Sequence, residues 1–248
     1  MSVNPIRFIK KVIGSKPAAP EFPADFESFH KEIIEKVRPF TMTSAERLYA
    51  LIESVKYVVK HDIPGSIVEC GVWKGGSMMA VAETLRKLGV TNRQLFLYDT
   101  FAGMTPPTEE DKAHNEQTAA ELLDKDENKK QESVVWAFST IEEVKANISR
   151  IDYPIGNFHF IEGDILKTVP GADPGPIALL RLDTDWYEST KHEMEHLYPR
   201  LNQSGVLIID DYGFWKGSRK AVDEYLEAHQ IKILLNRIDD TGRAAIKQ

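Results

Sequence analysis

The sequence predicts an α/β fold, with a mostly parallel seven-stranded sheet that ends in an antiparallel hairpin and carries helices on both faces. First, short apolar runs alternate with helical segments between residues 66 and 228, as in sheets whose strands are joined by crossover helices. Second, a glycine turn at 71–76 follows the first of these runs and opens a helix. Third, two runs near the C-terminus flank Asp239-Asp240-Thr241-Gly242, a turn sequence typical of a hairpin.

Each predicted strand is a short run rich in apolar residues, and each predicted helix has apolar residues at helical spacing. The strands are predicted at 66–70, 94–98, 157–161, 177–182, 206–209, 231–237 and 244–247. The helices that connect them are predicted at 76–88, 140–151, 188–201 and 215–228. Two more helices are predicted within residues 25–62, where Pro39 ends the first and Thr43 or Ser44 caps the second.

The domain organisation follows from chain length and proline content. A chain of 248 residues with 42% hydrophobic residues can bury a complete core, so we expect one domain at 25–248. Prolines at positions 17, 20 and 23 make residues 1–24 a flexible tail and linker. The polar segment at about 105–135 is too long for an ordinary loop. It is either a lid over the cofactor edge or a solvated surface excursion, and the sequence leaves both open.

Charge and cysteine content exclude several classes of partner. The formal net charge is -7 and no basic stripe is present, which argues against nucleic acid as a partner. No apolar run approaches the roughly 20 residues of a membrane helix, so we expect no membrane partner. Cys70 is the only cysteine, so no disulfide can form within the chain. We therefore expect a soluble protein of the reducing cytoplasm.

Two acidic clusters follow neighbouring predicted strands, Asp183 and Asp185 after 177–182 and Asp210 and Asp211 after 206–209. Because parallel strands end at one edge of the sheet, these carboxylates converge, and a hard cation such as Mg²⁺ relieves their repulsion. We predict Asp183, Asp210 and Asp211 as the ligands of this cation. Asp185 shares a face with Asp183 and is the candidate general base for a hydroxyl proton. The alternative is that all four are turn or capping residues.

Ligands of open parallel sheets bind beyond the carboxyl ends of the strands, where the strand order reverses. Gly71 allows the backbone to approach a ligand there, although the Gly-x-Gly-x-x-Gly fingerprint of dinucleotide enzymes is missing. Asp99 ends the second strand, where its carboxylate can accept hydrogen bonds from both ribose hydroxyls of a nucleoside cofactor. Asp164 follows the third strand and can accept a hydrogen bond from an adenine amino group. Each aspartate can instead cap a turn or a helix.

Four motifs, in this order along the chain, resemble the macrocin O-methyltransferase family. They are 69–77 (ECGVWKGGS), 98–104 (YDTFAGM), 182–190 (LDTDWYEST) and 209–213 (IDDYG). The resemblance covers most of the chain from about residue 41 onwards. It implies a Rossmann-like class I methyltransferase fold and an enzyme that depends on S-adenosylmethionine and Mg²⁺. Members of that family methylate hydroxyls, often on the deoxysugars of macrolide or aminocoumarin antibiotics.

The resemblance also implies roles for particular residues. The residues that would hold the cofactor are Thr41, Met42, Glu69, Gly71, Ser77, Asp99, Asp164 and Asp183. The same resemblance makes Asp183, Asp210 and Asp211 the metal ligands and Asp185 the base. The expected partner is a small hydroxylated acceptor that contains a sugar, and the assembly can be a homodimer or a higher homo-oligomer.

Three other functions stay open at the level of sequence. A catechol-type O-methyltransferase shares the fold and the metal chemistry, but typically has Asp-Asn where this chain has Asp210-Asp211. A nicotinamide-dependent oxidoreductase would use the same sheet edge. The missing dinucleotide fingerprint and the predicted terminal hairpin both argue against this function. A non-catalytic protein that only binds the cofactor would have no need of four close carboxylates.

Overall fold

The computed structural model describes residues 22–126, 133 and 135–248 of the chain. The predicted tail at 1–24 therefore lies outside the described residues except for its last three. Within the described part, one sheet contains seven strands: β1 Ser66–Cys70, β2 Leu95–Asp99, β3 Phe158–Glu162, β4 Ile177–Leu182, β5 Leu201–Ile209, β6 Asn236–Arg237 and β7 Arg243–Ile246. Their order across the sheet is β3-β2-β1-β4-β5-β7-β6. The predicted fold class is confirmed.

The α-helices of the described segments lie on both faces of this sheet. They are α1 Ser28–Val37, α2 Ala45–Lys60, α3 Gly76–Lys87, α4 Ala119–Lys125, α5 Ile141–Ile148, α6 Ile165–Thr168, α7 Tyr187–His196 and α8 Lys216–Ala228. Several begin at a side-chain cap. Ser44 Oγ, one of the two predicted cap residues, accepts a hydrogen bond from the Arg47 amide, and Thr140 Oγ1 accepts one from the Glu143 amide. No described helix is long and apolar enough to cross a membrane. The cellular location stays a prediction.

Strand register brings the functional motifs to one edge of the sheet. The five strands β1 to β5 run parallel, and Cys70 pairs with Leu182, which pairs with Ile209. The residues that follow these strand ends are therefore neighbours in space. The Asp183 amide donates to the Cys70 carbonyl at 2.8 Å, and the Asp210 amide donates to the Leu182 carbonyl at 2.9 Å. The chain order reverses between β1 and β4, so this edge is the switch point where a ligand is expected.

Alternating side chains divide the core into two layers. Ile67 and Leu179 point into a cluster covered by α1, α2, α3 and α5, whereas Val68 and Leu180 point into a cluster covered by α6, α7 and α8. All four side chains are completely buried. This pattern explains why the central strands read as continuous apolar runs, because strands covered on both faces bury every side chain.

Several predicted elements have other boundaries in the structure. The strand predicted at 206–209, for example, begins at Leu201. Only Asn236–Arg237 of the predicted strand 231–237 joins the ladder, although Ile231 and Ile233 still pack against the second core layer. The apolar alternation there comes from burial without backbone pairing. The helix predicted at 188–201 ends at His196, and Tyr198–Arg200 forms a 3₁₀ turn that contains Pro199. Proline lacks the amide that an α-helix needs at this point.

The polar insertion packs on the sheet edge rather than projecting from it. Its residues 105–126 contain α4 and two isolated bridges, one between Lys112 and Thr118 and one between Ala113 and Trp215. Ala113 and Trp215 are buried in a third apolar cluster. Residues 127–132 and 134 of the predicted lid lie outside the described residues. That the insertion acts as a lid stays a prediction.

Replacing Leu179 with alanine should lower the free energy of unfolding by about 2 to 5 kcal/mol, because the residue is completely buried in a central strand. Urea unfolding followed by circular dichroism would measure the change. Leu234→Ala is the matched control, since Leu234 is 74% exposed, and it should alter the free energy of unfolding by less than about 0.5 kcal/mol. Equal effects of the two substitutions would contradict the described core.

Candidate active site

A cavity of about 750 Å³ opens at the carboxyl edge of the sheet. Its walls come from the residues after β1, β2, β3, β4 and β5, from residues 40–47, and from the insertion. The predicted site residues that line it are Thr41, Met42, Gly71, Ser77, Asp99, Asp164, Asp183, Asp185, Asp210 and Asp211. The volume is that of a site for a small molecule or cofactor.

The glycine turn after β1 is shaped by its backbone. Gly71 has a φ of +85°, and a Cβ at this position would lie 2.0 Å from the Asp183 carbonyl oxygen. Only glycine fits there, and the two strand-end loops consequently touch. Gly75, with a φ of +87°, is the N-cap of α3, so the amide end of that helix begins beside the cavity. A partial positive charge at this end suits a carboxylate group of a ligand.

Asp99 holds the glycine turn in place. Its Oδ2 atom accepts hydrogen bonds from the amides of Val72 at 2.6 Å and Trp73 at 3.1 Å, and its Oδ1 atom accepts one from the Phe101 amide at 2.8 Å. Burial raises the pKa of the carboxyl, while these backbone hydrogen bonds lower it. Asp99 therefore lines the cavity and organises the backbone around it at the same time.

The remaining predicted cofactor residues divide into two groups. Ser77 lies in the first turn of α3, against which the segment with Thr41 packs closely. Asp164 lines the cavity and also caps α6, where its Oδ1 atom accepts a hydrogen bond from the Leu166 amide at 3.1 Å. Glu69 is not among the residues that line the cavity. Its side chain is buried in β1, and its Oε1 atom lies 2.7 Å from Nη1 of Arg181.

Three carboxylates form a compact group in the cavity. Asp183, Asp185 and Asp211 each offer an oxygen atom, and these atoms lie within 4.8 Å of one another. Burial raises the pKa of Asp185 to about 7, and burial together with the neighbouring carboxylates raises the pKa values of Asp183 and Asp211. Asp185 has a φ of 69°, an uncommon conformation for a residue with a side chain. Such conformations concentrate at functional sites, where the surrounding structure holds them.

Asp210 has different partners from the other three aspartates. Its Oδ1 atom accepts a hydrogen bond from Nη2 of Arg181 at 2.6 Å, and its Oδ2 atom contacts Nη1 of Arg47. The structure therefore brings together two of the three predicted metal ligands, Asp183 and Asp211, and adds Asp185 in place of Asp210.

The donor set of the cavity fits a hard divalent cation. The close trio consists only of carboxylate oxygens, the ligand type that Mg²⁺ prefers. Arg181 also contacts Oδ2 of Asp183 at 2.7 Å, but no described arginine or lysine forms an ion pair with Asp185 or Asp211. Burial is the main cause of their raised pKa values, and repulsion among the carboxylates adds to it. A cation would remove that repulsion.

Three functional contacts escaped the sequence analysis. Arg181 carried a signal, because a charge inside the apolar run of β4 requires a buried partner. Arg47 on α2 and Thr43 before α2 carried no such signal, since both occupy positions typical of ordinary surface residues. In the structure Thr43 Oγ1 accepts a hydrogen bond from Nη2 of Arg181 at 3.1 Å. The segment that borders the cavity is thus attached to the acidic group through both arginines.

A second buried carboxyl lies beneath the loop after β4. Glu193 of α7 is completely buried, and its Oε1 atom accepts a hydrogen bond from Thr184 Oγ1 at 2.9 Å. Burial raises the pKa of Glu193 to about 8, against the lowering effect of this hydrogen bond. The same burial, with the charge of Glu193 nearby, raises the pKa of the Cys70 thiol. His192 on this helix contacts the Val169 carbonyl, a structural role rather than a metal site.

Comparison with known proteins identifies the family. The family model for macrocin-O-methyltransferase (TylF) matches residues 33–246 of the chain. The chain belongs to the macrocin-O-methyltransferase family. It is therefore a methyltransferase that uses S-adenosylmethionine to methylate an oxygen atom, and its sheet is that of the class I O-methyltransferases.

Individual relatives agree with this assignment. The chain is 36% identical, over 202 residues, to the 8-demethyl-8-(2,3-dimethoxy-alpha-L-rhamnosyl)-tetracenomycin-C 4'-O-methyltransferase of Streptomyces olivaceus, with 82% of this chain and 73% of that protein covered. It is 31% identical, over 203 residues, to the mycinamicin III 3''-O-methyltransferase of Micromonospora griseorubida, with 82% and 76% covered. The solved structure of the O-methyltransferase NovP superposes with a TM-score of 0.73 at 32% identity, covering 84% of this methyltransferase and 82% of NovP.

Replacing Glu193 with glutamine should remove part of the pH dependence of stability. The folded pKa of about 8 lies above the ordinary value of a glutamate, so the folded state holds a proton that the unfolded state loses. The stabilisation is complete below the unfolded pKa and disappears as the pH rises through about 8. Between about pH 5 and pH 8 the wild type should lose at least about 1.4 kcal/mol relative to Glu193→Gln.

Urea unfolding of both proteins across this pH range would measure the difference. Glu195→Gln is the matched control, because Glu195 lies on the exposed side of the same helix and should leave the pH profile unchanged. Parallel profiles of wild type and Glu193→Gln would show that Glu193 ionises as an ordinary glutamate.

Proposed function

We propose that this methyltransferase transfers the methyl group of S-adenosylmethionine to a hydroxyl of a sugar or glycosylated natural product, with Mg²⁺ at the acidic group. The observation that carries the proposal is the convergence of three carboxylate side chains beside a glycine turn in one cavity. The names of the relatives support the acceptor class. They describe methylation of a rhamnosyl tetracenomycin, of demethyldecarbamoylnovobiocin and of mycinamicin III.

The cofactor would lie along the glycine turn. In this proposal Gly71, Ser77, Asp99 and Asp164 hold it from the strand side, with Asp183 beside its reactive end, and Thr41 and Met42 cover it. Met42 supports this placement, because its apolar side chain is 43% exposed at the cavity and would be buried by a ligand. Glu69 contributes through Arg181, which it holds from below the cavity wall.

Asp183 and Asp211 are two of the proposed metal ligands, and their place in the carboxylate trio supports this role. The proposed third carboxylate is Asp210, whose contact with Arg47 would have to give way, or Asp185, which already lies in the trio. When bound, Mg²⁺ supplies a positive charge that stabilises the ionised form of the acceptor hydroxyl. Asp185 is proposed to take the hydroxyl proton. Without a cation, burial raises its pKa to about 7. Mg²⁺ nearby would lower this pKa and so keep the carboxylate ionised and able to accept a proton.

The electron balance of the transfer is simple. The acceptor oxygen forms a bond to the methyl carbon, the bond between that carbon and the sulfonium sulfur breaks, and the electron pair remains on sulfur. The hydroxyl proton goes to Asp185, and S-adenosylhomocysteine leaves. The main contribution of the protein is alignment of oxygen, carbon and sulfur, since near-attack geometry can supply on the order of 7 to 11 kcal/mol.

The purified protein should bind S-adenosylmethionine with a dissociation constant in the micromolar range and should not bind NADH. Isothermal titration calorimetry, with Mg²⁺ and then with EDTA, would measure both. Methylation of the rhamnosyl tetracenomycin acceptor and of a catechol, each with Mg²⁺ or EDTA, would distinguish the sugar-directed from the catechol-directed enzyme. Cofactor binding with equal turnover in Mg²⁺ and EDTA would refute the metal while leaving the methyltransferase assignment intact. Binding of NADH alone would favour the oxidoreductase.

Asp185→Asn should lower kcat by about 10²- to 10⁴-fold, the usual effect of losing a general base, with little change in cofactor affinity. Asp152→Asn, an exposed substitution outside the cavity, is the control and should keep full activity. Mg²⁺ titrations of the Asp185→Asn, Asp210→Asn and Asp211→Asn variants would assign the third ligand. If Asp185→Asn retains turnover, another group accepts the proton.

A further inference from the structure

The insertion contains a completely buried carboxylate, Asp111. Its charge is met by hydrogen-bond donors, and no ion pair joins it to a cation of the described residues. The Oδ2 atom accepts hydrogen bonds from the Thr108 amide at 2.7 Å and from Thr108 Oγ1 at 2.9 Å. Both of these donors belong to the insertion itself. A carboxylate in such a position must be well compensated, because leaving it unpaired in the interior is costly.

The third donor comes from another part of the fold. The Oδ1 atom of Asp111 accepts a hydrogen bond from the amide of Tyr187 at 2.7 Å. Tyr187 is the first residue of α7, and the residue before it, Trp186, makes no side-chain cap. Asp111 therefore provides from a distance of 76 residues what an N-cap residue normally provides locally.

The start of α8 is built around the same carboxylate. Gly217 is the second residue of this helix, and a Cβ there would lie 2.2 Å from Oδ1 of Asp111 and 3.1 Å from the Tyr187 amide nitrogen. Glycine thus leaves the space that Asp111 occupies. The positive ends of α7 and α8 both begin beside this space, which favours a negative charge in it.

The contact with α7 matters because the loop after β4 runs directly into that helix. This loop, residues 183–186, contains Asp183 and Asp185, and Asp185 holds its uncommon backbone conformation there. The insertion contacts the last loop residue as well, since Nε1 of Trp186 donates to the Thr105 carbonyl at 2.9 Å. Two consecutive residues, Trp186 and Tyr187, are thus bound to the insertion.

We propose that Asp111 is a positioning residue that caps α7 from the insertion and thereby couples the insertion to the loop carrying Asp183 and Asp185. The inference rests on the proposed function, in which this loop provides the metal ligand and the base. The insertion then has two tasks, to line the cavity and to fix the backbone of the acidic loop. Loss of the cap frees the loop without removing any side chain that the proposed function places against the cofactor.

Hydrogen–deuterium exchange of the full-length protein tests the coupling directly and needs no acceptor. In Asp111→Ala, peptides covering 183–190 and 105–126 should exchange roughly 2- to 30-fold faster, the range that loss of one helix cap produces. Asp111→Asn keeps an oxygen that can accept from Tyr187, but its amino group opposes the Thr108 donors, so its exchange should lie between wild type and alanine. Peptides from β1 and α3 should be unchanged.

A second variant displaces the carboxylate without removing it. Gly217→Ala should reproduce the faster exchange of Asp111→Ala, because the new methyl group occupies the position of Oδ1. Gly156→Ala is the matched control, since nothing lies within 4 Å of a Cβ at that position, and its exchange should equal that of the wild type. If Asp111→Ala does not fold, Gly217→Ala decides the question.

Three results would overturn the inference. Faster exchange confined to 105–126 would mean that Asp111 holds only the insertion together. Faster exchange throughout the chain would indicate a general structural role, and unchanged exchange at 183–190 would refute the cap. With an acceptor that turns over, the variants should lower kcat by a larger factor than they raise the KM for S-adenosylmethionine, because Asp183 is the one proposed cofactor contact on the freed loop. A wild type that binds no S-adenosylmethionine would refute the proposed function, and the exchange result would still decide the coupling.

Discussion

The site depends on the buried guanidinium group of Arg181. Its Nη1 atom contacts Glu69 of β1 and Asp183 after β4, both at 2.7 Å, and its Nη2 atom contacts Asp210 after β5 at 2.6 Å. One planar cation thus joins three neighbouring strands at the height where the cavity begins. The fork of donors on an arginine suits several carboxylates at once, which a lysine cannot match. Such a buried network contributes little net stability, but breaking it is costly, so it fixes geometry.

The charge that Arg181 leaves uncompensated defines the chemistry of the cavity. Asp185 and Asp211 have no arginine or lysine partner among the described residues, and both have raised pKa values because they are buried next to other carboxylates. The ion pairs of Arg181 with Glu69 and Asp210 lie at the base of the cavity. The carboxylates of Asp185 and Asp211 remain available to a ligand in the cavity. The register of the strands thus places ion-paired carboxylates and carboxylates available to a ligand next to each other at one edge of the sheet.

The sequence predicted the fold and the convergence of the motifs well, because apolar periodicity and strand-end turns are local signals. The sequence-based prediction failed where the same local pattern can arise from two different structures. The alternation at 231–235 reflects packing without strand pairing, and α7 ends at His196, shortly before the 3₁₀ turn that contains Pro199. The partners of Asp210 could not be predicted, since Arg47 reaches it across 163 residues of chain. Asp111 escaped notice because its partner, Tyr187, is defined only by tertiary structure.

Cys70 shows what the same burial means for chemical reactivity. A sulfonium methyl donor is an alkylating agent, and a thiolate is the strongest nucleophile that a protein commonly offers. The only cysteine of the chain directly precedes the glycine turn at the cofactor edge, yet its side chain points away from the cavity into the second core layer. Burial and the nearby Glu193 keep the thiol protonated. The Cys70 thiol is therefore kept away from the methyl donor that the proposed function places in the cavity.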